Sequence, residues 1–85
     1  MVILDVRSKE EYERSHIKAA KWFDVERIIH GEMPTAKKDE EIMLYCRTGA
    51  RSTAAMYKMR AAGFRNVSNG GGLADMAAKG YPVEY

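Results

Sequence analysis

The sequence predicts an α/β fold in which a small parallel sheet carries helices on both faces. Two short apolar runs, Val2-Ile3-Leu4 and Ile42-Met43-Leu44-Tyr45, stop at Asp5 and Cys46 and read as buried parallel strands. Segments with helix-capping signals lie between and after them, so strands and helices alternate along the chain. In such sheets ligands bind at the carboxyl ends of strands, which is where Asp5 and Cys46 fall.

Each element follows from local chemistry. After the first strand, Ser8 followed by Glu11 is a capping-box pattern that starts a short helix at about residues 8 to 14, with Tyr12 turned inward. Ala20 to Phe23 reads as a short strand despite the charge of Lys21. Asp24 caps a second helix through Val25, Ile28 and Ile29, which Gly31 ends. The stretch from Ala50 to Ala62, closed by Gly63, is the strongest helical segment. Asn66-Val67-Ser68 reads as a last short strand, the run Asn69-Gly70-Gly71-Gly72 follows it, and a short helix covers Leu73 to Ala78 before Gly80 and Pro82.

Composition bounds the function classes. With 85 residues, 46% hydrophobic and 31% charged, the chain is expected to form one compact domain over residues 1–85, near the lower size limit for independent folding. The net charge is +2, and Lys37-Lys38 is followed at once by Asp39-Glu40-Glu41, so there is no nucleic-acid footprint. No apolar run approaches the roughly 20 residues that span a bilayer, and no membrane partner is expected. Asp5, Arg7, Lys9 and Glu10 exclude a signal peptide at the start of the chain as given. The lone cysteine allows no internal disulfide and no metal site built on paired cysteines, and His16 and His30 lack ligand-like spacing. Neither a metal nor another cofactor is expected.

The informative segment is Tyr45-Cys46-Arg47-Thr48-Gly49-Ala50-Arg51-Ser52, which joins a strand end to a helix start. Backbone N–H groups in such a loop can surround a negative centre, and the positive end of the helix dipole adds to the same field. Gly49 permits the tight curvature. Those donors, with Arg47 and Arg51 close by, favour thiolate over thiol and make Cys46 a nucleophile near neutral pH. A lone cysteine at a strand end is more often a small buried hydrophobe; two arginines, a glycine and a helix start around it argue for a reactive one.

The same residues carry a resemblance. Asp5-Val6-Arg7, then Glu10-Glu11-Tyr12 and His16-Ile17, resemble the opening signature of the rhodanese family, and Cys46-Arg47-Thr48-Gly49-Ala50-Arg51 resembles its active-site loop. Gly63-Phe64, Asn66-Val67, Gly71-Gly72 and Gly80-Tyr81-Pro82-Val83 are similar too, in the correct order along nearly the whole chain. The short length and Asn69-Gly70-Gly71-Gly72-Leu73 are most similar to the small phage-shock-type rhodaneses, which are periplasmic. The compartment stays open between cytoplasm, for the chain as given, and periplasm, if a signal peptide has been removed. Ser15 and Ala19 stand where many relatives have glycine, and Met76 where many have tryptophan. A positive φ at Ser15 would cost on the order of 1 kcal/mol.

The resemblance implies a rhodanese-like sheet of four to five strands, since the strand and helix that usually precede Asp-Val-Arg in larger relatives are missing. It implies that Cys46 carries sulfur as a persulfide, that Arg47, Thr48, Gly49, Ala50 and Arg51 surround that sulfur, and that Asp5 and Arg7 give structural support. Sulfane sulfur would pass from thiosulfate or a related donor to cyanide, a thiol or a protein acceptor. A non-catalytic binding module of the same fold is the rival from another class, although such modules often lose the cysteine. A cysteine phosphatase or arsenate reductase is disfavoured because four residues, not five, separate Cys46 from Arg51, and no resolving cysteine is present.

Overall fold

A computed structural model describes all residues, 1–85. In chain order the elements are β1 (Val2–Asp5), α1 (Lys9–Arg14), β2 (His16–Ile17), β3 (Lys21–Trp22), α2 (Val25–Ile29), β4 (Ile42–Cys46), α3 (Ala50–Ala61), β5 (Val67–Gly72), α4 (Leu73–Ala78) and β6 (Val83–Glu84). Four strands form one parallel sheet in the order β3-β1-β4-β5. β2 and β6 pair antiparallel as a separate two-stranded ribbon that the sequence did not announce. No helix is long and apolar enough to cross a membrane.

The pleat divides the core in two. Leu4 lies opposite Leu44, and Ile42 lies between Val2 and Val67, so one face of the sheet carries the even positions of β1 and β4. That face packs on Val25 and Ile28 of α2 and on Ala55 and Met59 of α3. The opposite face carries Ile3 and Tyr45, which meet Ile17, Ala20 and Met76. Helices therefore cover both faces, as a parallel sheet buried on both sides requires. Met76 is fully buried and fills this second core.

Several expectations need correction. The segment after Phe64 is one continuous strand from Val67 to Gly72, not a three-residue strand followed by a glycine run. The strand expected at Ala20 to Phe23 shrinks to Lys21–Trp22, paired with Leu4 and Asp5. Ser15 lies at φ −169°, in extended backbone that any residue adopts, and carries no strain. Tyr12 is only half-buried, its hydroxyl donating to the Ala20 carbonyl and its ring stacked on His16 at 3.8 Å. Of the apolar positions of α3 only Ala55 and Met59 are buried; Tyr57 is exposed.

The caps behave as the local chemistry dictates. Ser8 Oγ accepts from the Glu11 N–H at 3.3 Å while Glu11 Oε1 accepts from the Ser8 N–H at 3.0 Å. Asp24 accepts from the Glu26 N–H at 3.0 Å and starts α2.

Candidate active site

The site grows from the end of β4. Pairing between β4 and β5 shifts register between Leu44 and Cys46, so that Cys46 comes opposite Gly72. At Gly72 the two chains approach so closely that a Cβ would stand 2.2 Å from the Arg47 carbonyl oxygen. Only a glycine lets the strand end press against the cysteine loop. The loop then turns at Gly49, whose φ of 99° lies in the left-handed region, and this residue caps α3.

That turn aims the backbone at the sulfur. The Gly49 N–H donates to Cys46 Sγ at 3.0 Å, and the Ser52 hydroxyl lies 3.5 Å from the same atom. Cys46 is 1% exposed. Burial alone would push the thiol up, yet its pKa is lowered, because hydrogen bonds from the Ser52 hydroxyl and from backbone N–H groups of Ser52, Thr48 and Gly49 outweigh it. The thiolate is thus favoured mainly by neutral donors rather than by an adjacent cation.

The expected site residues divide accordingly. Gly49 is buried against the sulfur, while Arg47, Thr48 and Ala50 are exposed. Thr48 Oγ1 accepts a 3.5 Å bond from the Ala50 N–H at the first turn of α3. Arg51 makes no hydrogen bond to the sulfur; it forks onto Glu11, Nη1 to Oε1 at 2.7 Å and Nη2 to Oε2 at 3.0 Å. This pair ties the head of α3 to α1, and the guanidinium, with the Ser8 bonds, holds the Glu11 carboxyl down to about 2. Arg47 makes no ion pair and lines a surface cavity of about 430 Å³ together with Arg7, Glu11 and Arg14.

Asp5 and Arg7 sit beneath the loop as a buried unit. The Asp5 carboxylate accepts from the Arg7 N–H at 2.9 Å, from Arg7 Nε at 3.0 Å and Nη2 at 2.7 Å, and from the Tyr45 hydroxyl at 2.7 Å. The Tyr45 hydroxyl in turn accepts from the Ile17 N–H at 2.9 Å, and burial followed by the neighbouring Asp5 raises its pKa. No buried side-chain nitrogen or oxygen in this unit is without a hydrogen-bond partner, which is the condition for burying an ion pair. It fixes the strand end that carries Cys46.

Three residues had no place in the expected site. Glu11 was legible as half of a capping box and as part of the opening signature, but nothing in the sequence pairs it with an arginine forty positions away. Ser52 directly follows Arg51, one helical turn beyond Gly49, and that spacing could have flagged it. Asn69 reaches the loop from β5, accepting from the Ser52 hydroxyl at 2.7 Å and donating to the Gly49 carbonyl at 3.1 Å. No local signal reveals that contact.

Comparison with known proteins agrees with this architecture. Residues 1–79 match the rhodanese-like domain family. The chain is similar to thiosulfate sulfurtransferase 18 of Arabidopsis thaliana, with 30% identity over 94% of this chain and 69% of that protein. It is also similar to thiosulfate sulfurtransferase PspE of Escherichia coli, with 31% identity over 87% of this chain and 72% of that protein. A tRNA sulfurtransferase of Desulfurococcus amylolyticus is 36% identical over 86% of this chain, which spans only 14% of that protein. The X-ray structure of the rhodanese-like domain of an Anabaena protein superposes with a TM-score of 0.87 at 32% identity, covering 100% of this chain and 81% of that one. A match over nearly all of its length, and a shared fold from end to end, mean that this chain belongs to the rhodanese-like domain family.

Proposed function

We propose that this protein is a sulfurtransferase that moves sulfane sulfur from thiosulfate or a related donor to cyanide or a thiol through a persulfide on Cys46. The observation that carries the reading is the Cys46 sulfur at the end of β4, facing the Gly49 N–H at 3.0 Å at the head of α3. Sulfurtransferase relatives that match most of the chain support it.

In the first half-reaction the Cys46 thiolate attacks the outer sulfur of thiosulfate. A new sulfur–sulfur bond forms, the bond inside thiosulfate breaks, and sulfite leaves with the electron pair. The terminal sulfur of the persulfide is an anion, and the donors that favour the thiolate are of the kind that stabilise it. In the second half-reaction the acceptor attacks that terminal sulfur, taking it as thiocyanate or as a new persulfide and returning the thiolate. Cyanide, a small thiol and a protein thiol can each serve. The exposed Arg47 would meet the sulfonate oxygens of the incoming donor, and Arg51 would hold the loop through Glu11.

The test is intact mass spectrometry after treatment with thiosulfate and then with cyanide. The protein should gain the mass of one sulfur atom and lose it again with release of thiocyanate. Cys46→Ser should remain folded and show neither change, since a hydroxyl is not ionised near neutral pH. No mass gain in the parent protein, or sulfur transfer by Cys46→Ser, would overturn the reading.

A further inference from the structure

Behind the sulfur lies a polar cluster in which the Ser52 hydroxyl is shared between Cys46 and Asn69. Ser52 is fully buried, and its hydroxyl has a single hydrogen but three acceptors within reach: Asn69 Oδ1 at 2.7 Å, the Gly49 carbonyl at 3.1 Å and Cys46 Sγ at 3.5 Å. The orientation of the Asn69 amide is decided by its neighbours. The Gly71 N–H can only donate, so the atom 2.9 Å from it is the oxygen; the Gly49 carbonyl can only accept, so the atom 3.1 Å from it is the nitrogen. Asn69 is further held by donation to Thr53 Oγ1 at 2.6 Å. The shortest of the three contacts takes the hydrogen, so with a neutral thiol the Ser52 hydrogen rests on Asn69.

Ionisation of the sulfur changes the balance. A hydrogen bond to an anion is roughly twice as strong as one between neutral groups, so the hydrogen turns to the sulfur, while Gly71 continues to satisfy Asn69 Oδ1. We propose that Ser52 and Asn69 are positioning residues for Cys46: Ser52 gives its hydrogen to the sulfur anion, and Asn69 competes for that hydrogen and so moderates the nucleophile. The inference deepens the reading above and rests on Cys46 being the reacting group, but its test reads the thiol itself. Among the other charges near the sulfur, Arg47, next in the chain, is exposed and makes no ion pair. Arg51 on α3 is close enough to feel the thiolate and is paired with Glu11 of α1. Asp5 on β1 is bound by Arg7 and by Tyr45 of β4, Asp75 on α4 accepts from the Gly72 N–H, and β5 brings no ionisable side chain.

The experiment is the pH dependence of iodoacetamide alkylation in the parent, Ser52→Ala, Ser52→Thr, Asn69→Ala and the double variant Ser52→Ala/Asn69→Ala, with thermal melting as the check on folding. Ser52→Ala should raise the thiol pKa and slow alkylation at pH 7 by about tenfold, the loss of one hydrogen bond to a charged group. Ser52→Thr should restore most of the rate. Asn69→Ala should have the opposite sign, speeding alkylation by roughly threefold because the hydrogen no longer has its best neutral acceptor. In the double variant the gain should vanish, leaving the Ser52→Ala rate. An unchanged pKa in Ser52→Ala overturns the proposal, and that result is available even if Asn69→Ala does not fold. Equal slowing by Asn69→Ala with and without Ser52 also overturns it, because Asn69 would then act only by supporting the loop. Shifts of the expected sign without sulfur uptake would discard the sulfur-transfer reading and leave the hydroxyl switch standing.

Discussion

Replacing Asp5 by Ala is the sharpest test of how the site is supported. The carboxylate is fully buried, Arg7 is 5% exposed, and Asp5 is the only acidic partner of that guanidinium. Removing it leaves a buried charge and takes away the acceptor of the Tyr45 hydroxyl hydrogen. Breaking a buried pair in this way typically costs about 3–5 kcal/mol. Arg7 Nη2 keeps the Ser15 carbonyl as an acceptor, which favours the lower end of that range. The loss exceeds the 1–3 kcal/mol that a single unpaired neutral donor would cost, because the orphan is a guanidinium. A chain of this size has roughly 4–13 kcal/mol of stability in all, so Asp5→Ala should sit near the edge of folding. Its melting temperature should fall by about 12–24 °C. Urea unfolding of Asp5→Ala and of the double variant Asp5→Ala/Arg7→Met gives the magnitude. The double variant should regain part of the loss because it removes the stranded charge. An Asp5→Ala protein within about 1 kcal/mol of the parent would refute the argument.

The remaining predictions concern the loop and its ties. The Glu11 carboxyl sits at about 2 in the folded protein against an ordinary 4.5, so its contribution is complete above the ordinary value and is lost as pH falls through about 2. Taken whole the shift would be worth roughly 3 kcal/mol, but Arg51 is 37% exposed and screening reduces this to about 1 kcal/mol; urea midpoints at pH 6 and pH 2.5 should converge by most of that amount between parent and Glu11→Gln, and parallel pH dependences would contradict it. Arg51→Lys cannot reproduce the two-pronged contact with Glu11 and should lower both the melting temperature and kcat, whereas Arg47→Lys should keep most activity if it acts as a point charge; steady-state kinetics showing equal losses at both positions would reject this division. Gly72→Ala would put a methyl 2.2 Å from the Arg47 carbonyl, so it should cost at least about 2 kcal/mol and slow alkylation of Cys46; an unperturbed melt would mean that the strand end yields freely.

Much of this arrangement was legible because it is local. Strand runs ending at Asp5 and Cys46, the Ser8 and Asp24 caps and the glycine after α3 depend on neighbours within four residues, and each appears where the chain says it should. What escaped the sequence depends on distance along the chain. The β2–β6 ribbon joins His16 to Glu84 and Ile17 to Val83, in segments too short to show any periodicity. The glycines of β5 read as a breaker, and they are instead the places where α4 and the cysteine loop lie against a strand with no room for side chains. Asn69 sits on that misread strand, so its role at the sulfur could not be read either.

Arg51 shows most clearly how a correct motif can suggest a wrong contact. Two arginines beside a cysteine invite a picture in which both cations face the thiolate, and charge alone would then lower its pKa. The folded loop works differently. A guanidinium held on a buried sulfur would have to be desolvated with it, at a cost that grows as the dielectric falls. Backbone N–H groups at a helix start and one buried hydroxyl lower the thiol pKa without that cost, because they are neutral. Arg51 is thereby released to brace α3 against Glu11, and Arg47 remains exposed on the cavity rim without a competing carboxylate partner. An anionic donor would meet an unpaired cation at the mouth of the site, while the groups that hydrogen-bond the sulfur below are neutral. In the proposed reaction, raising ionic strength should therefore weaken capture of thiosulfate, seen as a higher KM, and leave the thiol pKa nearly unchanged, because the charge of Arg51 is already offset by Glu11; a thiol pKa that moved strongly with salt would mean that Arg51 and not the neutral donors holds the thiolate.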